Sequence, residues 1–290
     1  MTTLGFLGFG EAAFNIAAGL REAGLGRIRA YDKAWNVEGR SKLVRERAAT
    51  AQVALDETPE SLIARVDVVV CSISADAAIP VAEASAPLLS KDQIYVDLNS
   101  AGPDTKVAVD KIISPHATFV DVAVMGAVPG NRHKVPMLAA GAGAQRLHDI
   151  LAPYGTNITV LEGPPGKASA SKMFRSIFMK GFMMLLLETV VAGRSFAIED
   201  DILASIGKSL SAGDFKAYAS DILCRGVVHS ERREHEMDEV IATLRSIRVD
   251  STMSEATKAK LSWCTQHRLR EHFGGVAPKD YHEIFEALQA

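Results

Sequence analysis

At 290 residues, 48% apolar and 23% charged, the chain can bury a substantial core and is long enough for one large or two ordinary domains. Its formal net charge of -3 argues against a broad electrostatic footprint for nucleic acid or an anionic membrane, though a local basic patch could serve a small anionic substrate. Three well-separated cysteines, Cys71, Cys224 and Cys264, make neither a disulfide framework nor a CxxC metal pair and suit a reducing cytoplasm.

From the N-terminus the chain enters an apolar run at once, without the basic start and cleavage site of a signal peptide. Strand-like, β-branched runs occupy 4–8, 27–32, 66–72, 93–98 and 118–124, with helical patterns over 11–22, 76–89 and 103–113. Such alternation predicts a doubly wound α/β domain: a parallel sheet with helices on both faces. Val68, Val69 and Val70 form the continuous apolar run expected of a strand buried on both sides. Two further strands are expected over 136–140 and 158–161, with a helix over 144–151 between them. Gly163-Pro164-Pro165-Gly166 then punctuates the pattern, and only helical periodicity follows. The expected organisation is a first domain over 1–163 and an all-helical domain over 164–290.

The first strand runs into Gly8-Phe9-Gly10-Glu11-Ala12-Ala13, and a helical pattern begins there. In this GxGxxA turn the first glycine permits the tight bend and the second lets the backbone approach a pyrophosphate. The third position needs a small residue for helix–strand packing. Free N–H groups and the positive dipole at the helix start hold phosphates, so the segment reads as the dinucleotide site of a Rossmann fold. Leu7, Gly8, Gly10, Glu11, Ala12 and Ala13 are its expected cofactor-binding residues. Asp32 ends the second strand, where a carboxylate accepts from the adenosine ribose hydroxyls and repels a 2′-phosphate, favouring NAD. NADP is not excluded, because Lys33 is adjacent, and Asp32 has the bland alternative of a helix N-cap. Ser72, Ile73 and Ser74 end a central strand, where doubly wound folds bind ligands, and are expected at the cofactor. Cys71, inside the buried run, reads as core packing.

The stretch over 176–193 is apolar on all faces, yet carries Lys180 and Glu188 near its middle. A membrane span rarely carries both, so the segment is expected to be a buried core helix of a soluble protein. Lys172, Arg175, Ser176 and Lys180 recur at three- or four-residue spacing and share one helix side. A lysine at a partly dry cleft could exchange a proton near neutral pH; the alternative is a lysine snorkelling to water. Arg132, His133 and Lys134 could reach a substrate anion or form a solvated loop, and the bland reading is preferred. His229 and His235 sit among glutamates, but not at the i, i+4 spacing that pairs imidazoles, so no metal site is expected.

Together these residues resemble the β-hydroxyacid dehydrogenase family, which includes 3-hydroxyisobutyrate and 6-phosphogluconate dehydrogenases. Besides the glycine turn, Asp97-Leu98-Asn99-Ser100-Ala101-Gly102-Pro103 is similar to the family's Asp-x-Ser-Thr-x-x-Pro segment, which lines the nicotinamide and substrate side of its cleft. Asp121-Val122-Ala123-Val124-Met125-Gly126-Ala127 resembles its substrate loop, Asp-Ala-Pro-Val-Ser-Gly-Gly. Gly166 to Lys172 falls where the family has Gly-x-Gly-x-x-x-Lys. The resemblance implies that Lys172 is catalytic, that Asn99 meets the cofactor, and that Ser100, Met125, Gly126, Ala127, Ser176 and Lys180 meet the substrate. It also implies a homodimer through the helical domain.

Asn99 stands where the family has a serine, Met125 and Ala127 replace the loop's serine and second glycine with loss of a hydroxyl, and Ser176 takes the place of an asparagine, which puts the usual short hydroxy acids in doubt. The C-terminal stretches look like a branch whose helical domain has no assigned function. The expected activity is an NAD(P)-dependent oxidoreductase acting on a small hydroxy compound, a hydroxy acid by preference, in the cytoplasm. Reduction of an imine or bulky ketone is the alternative reaction, and a dinucleotide-binding regulator without chemistry is the alternative class.

Overall fold

In the computed structural model, which describes residues 2–211 and 213–289, the chain divides into a unit ending at Ser176 and a unit starting at Ile177. The first runs β1 (Leu4–Leu7), α1 (Glu11–Glu22), β2 (Ile28–Tyr31), α2 (Ser41–Thr50), β3 (Ala54–Leu55), α3 (Pro59–Ile63), β4 (Val68–Cys71), α4 (Ala78–Ser85), β5 (Ile94–Asp97) and α5 (Pro103–Ile113). It continues through β6 (Thr118–Val124), the single turn α6 (Val128–Asn131), β7 (Met137–Ala140), α7 (Ala144–Leu151) and β8 (Ile158–Leu161).

Alternate strand residues point to opposite faces. Phe6, Val68, Val70, Ile94, Val96 and Val120 therefore pack into one apolar layer, and Leu7, Val69, Cys71, Tyr95 and Phe119 into the other. The expected Rossmann architecture holds. The eight strands lie in the order β3-β2-β1-β4-β5-β6-β7-β8. The order reverses between β1 and β4, the switch point at which such sheets open a crevice.

One pairing departs from the expected parallel sheet: β6 and β7 are antiparallel, with Val124 opposite Met137 and Asp121 opposite Ala140. A parallel return needs a crossover, usually a helix laid across the sheet. The link after β6 offers only the short α6, whose Pro129 and Gly130 leave helical geometry, and a 3-10 turn over Arg132–Lys134, too little for a crossover.

The second half is helical: α8 (Lys167–Arg194), α9 (Glu199–Leu210), α10 (Phe215–Val228), α11 (Ser230–Ser246), α12 (Thr252–Gln266), α13 (Leu269–His272) and α14 (His282–Gln289). In the second unit, Cys224, Val228, Leu269 and Ile284 form a small core. Glu188 accepts from the Met253 and Ser254 backbone N–H groups at 2.8 and 3.0 Å, capping the start of α12.

The expected burial of the long apolar helix does not hold in the single chain. Phe174, Ile177, Phe178, Met183 and Leu187 of α8 are each more than half exposed. Among the described residues, α8 is the one helix long and apolar enough to cross a membrane by length and composition. An all-round apolar pattern signals that a helix is covered by something, and does not say that the same chain supplies the cover.

Candidate active site

The C-terminal ends of β1, β2 and β4 surround a cavity of about 670 Å³, and the glycine turn forms its floor. Gly8 has φ +87°, and a Cβ there would press on the Ser72 carbonyl oxygen and lie 2.5 Å from Ile73 Cγ2. Only glycine fits this bend. Nothing lies within 4 Å of the place a Gly10 Cβ would take, so the backbone is open to a ligand on that side. Gly10 caps α1 without a side-chain hydrogen bond, and the first-turn N–H groups of Glu11, Ala12 and Ala13 lack an intrahelical acceptor. Ala13 is fully buried and lets helix and strand close up.

Asp32 braces this floor. Its Oδ2 accepts the Phe9 N–H at 2.8 Å, and its Oδ1 accepts the Ala34 N–H at 2.8 Å. Each carboxylate oxygen retains a second lone pair for a hydroxyl donor, and Asp32 also lines the cavity beside Lys33. Leu7, Ser72, Ile73 and Ser74 also line it, and Pro80, Val81, Ala84 and Leu88, which the sequence had not singled out, form an apolar wall. The free first-turn N–H groups, the steric demand at Gly8 and the apolar wall fit a dinucleotide. Asn99 is buried and already occupied, its Oδ1 accepting the Ile73 N–H at 2.6 Å and its Nδ2 lying 3.5 Å from Cys71 Sγ. Burial also pushes the Cys71 thiol up to about 11, in keeping with a packing role.

A second constellation forms at the ends of β5 and β6. Lys172, half-buried on the first turns of α8, donates from Nζ to Ser100 Oγ at 2.7 Å. Ser176 lies one turn further and spends its hydroxyl on the Lys172 carbonyl at 3.0 Å. Met125 follows β6 and packs on Ala123, Ala140 and Ala168 beneath the same helix, while Gly126 and Ala127 lie exposed after it. Lys180 belongs to the second unit and is exposed.

What aims α8 is a buried charge network whose lysine sequence reasoning missed. Asp121 Oδ2 accepts the Gly166 and Ser169 backbone N–H groups at 3.0 and 3.1 Å, and its Oδ1 accepts the Ser169 hydroxyl at 2.6 Å. This carboxylate caps the helix from within the sheet. Fully buried Lys106 sits between Asp97 Oδ1 at 3.0 Å and Asp121 Oδ1 at 3.4 Å, and also donates to the Asp97 carbonyl at 2.8 Å. Two carboxylates share one ammonium, and the positive end of α8 offsets the remaining negative charge. Gly166, with φ +97°, lets the helix start come close to α5, since a Cβ there would lie 3.3 Å from the Pro103 carbonyl oxygen.

Arg132 and His133 are spent elsewhere. Arg132 pairs with Glu22 at the end of α1, with Nη2 2.9 Å from Oε1, and the His133 ring is buried against the same helix.

The sequence and fold of the chain match those of known proteins. A model of the NAD binding domain of 6-phosphogluconate dehydrogenase matches residues 3–163, more than half of the chain. The chain belongs to that family. A domain of unknown function, DUF1932, matches residues 194–264. A conserved hypothetical protein from Sinorhizobium meliloti 1021 is 36% identical, with 90% of this chain and 88% of that one covered and a TM-score of 0.64. The conserved protein MTH1747, of unknown function and described as structurally similar to 3-hydroxyacid dehydrogenases, is 31% identical. It covers 95% of this chain and 100% of its own, with a TM-score of 0.62. An imine reductase from Aspergillus terreus, in complex with NADPH4 and dibenz[c,e]azepine, is 18% identical over 95% of this chain and 96% of that one. Its TM-score of 0.75 marks a shared fold. The chain thus carries the NAD-binding domain of the 6-phosphogluconate dehydrogenase family and shares its fold with an imine reductase.

Proposed function

We propose that the protein transfers hydride between a nicotinamide and a small hydroxy compound, a hydroxy acid by preference, with Lys172 as general acid and base. The observation that carries this reading is the 2.7 Å hydrogen bond from Lys172 Nζ to Ser100 Oγ. A serine hydroxyl that accepts from an ammonium keeps its own O–H to donate to a substrate oxygen. The pair therefore forms a two-donor grip on a carbonyl or alcohol oxygen. The bound nicotinamide supplies the hydride donor or acceptor. In the oxidative direction Lys172, as a neutral amine, takes the hydroxyl proton; in the reductive direction its ammonium form returns that proton to the carbonyl oxygen. Met125, Gly126 and Ala127 form the neighbouring wall for the substrate, and Ser176, one turn beyond Lys172 on α8, is assigned to the same role.

Residues 1–163 act as the dinucleotide domain and residues 164–290 as the substrate and dimerisation domain. NAD is the preferred cofactor because the Asp32 carboxylate would face a 2′-phosphate. The enzyme works in the cytoplasm as a homodimer, with no part for nucleic acid or membrane. The exposed apolar surface of α8 supports a second copy as its cover.

Lys172→Ala should lower kcat at least about a hundredfold, the low end for lost general acid–base catalysis, with cofactor affinity little changed. Turnover near wild type in that variant would remove Lys172 from the mechanism. A second reading, reduction of an imine or bulky ketone, is favoured by the Met125–Ala127 segment, which offers no hydroxyl to hold a carboxylate. Parallel screens of hydroxy acids, ketones and cyclic imines for NAD(P)H turnover separate the two.

A further inference from the structure

At the sheet edge opposite the glycine turn, where β1, β2 and β3 begin, four arginines converge on a cavity of about 470 Å³. Arg21 comes from α1, Arg27 and Arg29 from the entry to β2, and Arg65 from the turn after α3; Thr3 and Gln52 complete the polar rim. Among the described residues, no carboxylate lines this cavity. Like charges gathered in one concavity repel one another, and the chain as a whole is slightly acidic, so the cluster is not a spillover of general basicity.

Accounting for the four guanidinium groups shows which are already engaged. Arg29 makes a bidentate pair with buried Asp56, Nε to Oδ2 at 2.7 Å and Nη2 to Oδ1 at 2.8 Å. Arg65 reaches the same carboxylate only at 3.7 Å. Asp67, nearby in sequence, is turned to the Thr3 backbone N–H at 2.7 Å. Arg21 bonds to neutral groups, the Gly26 carbonyl and Gln52 Oε1, which orient its fork without cancelling its charge. Gln52 holds this place from a left-handed backbone, φ +52°, that a side-chain-bearing residue seldom adopts. Arg27, among the described residues, has no side-chain hydrogen bond or ion pair. Of the four cations only Arg29 and Arg65 reach the buried Asp56 carboxylate, Arg65 loosely, and Arg27 and Arg65 line the same space.

We propose that this cavity binds a small, multiply charged oxyanion, inorganic phosphate or a phosphate ester, gripped by Arg27 and Arg65 and flanked by Arg21. Planar guanidinium forks match two phosphate oxygens at once, which point-charge lysines do not. The site lies beyond the length of β1 from the nucleotide floor, roughly 13 Å at the rise of a four-residue strand. It is therefore independent of the proposed hydride transfer.

The test is calorimetric titration of the whole protein with inorganic pyrophosphate at constant ionic strength, before and after saturation with NAD(P)H. Because the glycine turn itself can take a pyrophosphate, two binding events are expected without nucleotide and one with it. The remaining event should weaken at least tenfold in the double variant R27Q/R65Q, and several-fold in R27Q alone. Both variants should keep wild-type nucleotide affinity, which verifies their fold. Loss of all pyrophosphate binding once nucleotide is bound, unchanged affinity in the double variant, or no preference for pyrophosphate over chloride would each overturn the proposal.

Discussion

Gly8 and His133 show how much can rest on one side chain, or on its absence. A methyl group at Gly8 meets the Ser72 carbonyl and a backbone turned to φ +87°, so Gly8→Ala should cost on the order of 1–3 kcal/mol and weaken nucleotide binding by tilting the turn. Denaturant melts and a fluorescence titration of NAD(P)H would measure both. Burial, reinforced by nearby Lys134, lowers the His133 pKa from its ordinary 6.5. The folded chain then takes up this proton less readily than the unfolded one, so the contribution to stability is full above about pH 6.5 and is lost as pH falls below it. Melts at pH 7.5 and 5.5 should show that loss, and His133→Phe should shrink it. At this scale the glycine turn was legible, because its residue types answer directly to backbone geometry. Lys106 was not. It shares a face of α5 with Val109 and Ile113, so the helix phase placed it inward, but its charge suggested solvent.

The start of α8 is the element on which the proposed chemistry rests, and its position is set from the sheet. Removing the ammonium in Lys106→Met would leave Asp97 and Asp121 buried side by side. A loss of about 3–5 kcal/mol is expected, as for other broken buried pairs. Double substitution to Lys106→Met with Asp97→Asn should recover part of that loss, which thermal melts would report. Most strands and the helices after β1, β5 and β7 were legible because four or more apolar residues in a row, or a clear stripe, carry a period. The elements α2, β3 and α3 were not, since β3 has two residues and α2 is mostly polar. The reversed direction of β7 escaped notice because strand patterns are the same read either way, and only the missing crossover tells them apart.

For the molecule as a whole, composition signalled a core large enough for two units, and the break at Gly163-Pro164-Pro165-Gly166 marks the passage from sheet to helices. What covers α8 was beyond a single sequence, because periodicity records that a face is apolar and not what meets it. The proposed dimer predicts a sedimentation mass of twice the 31.1 kDa chain. Ile177→Glu, at a position 73% exposed in one chain, should shift that mass towards one. The same helix carries Met173, Met179, Met183 and Met184, all open to solvent in the lone chain. Thioether sulfur exposed to dilute peroxide becomes a sulfoxide, whereas sulfur sealed in an interface is spared. These four residues therefore form a built-in footprint: peptide mass spectrometry after brief oxidation would record, methionine by methionine, which part of the rod is sheltered in solution.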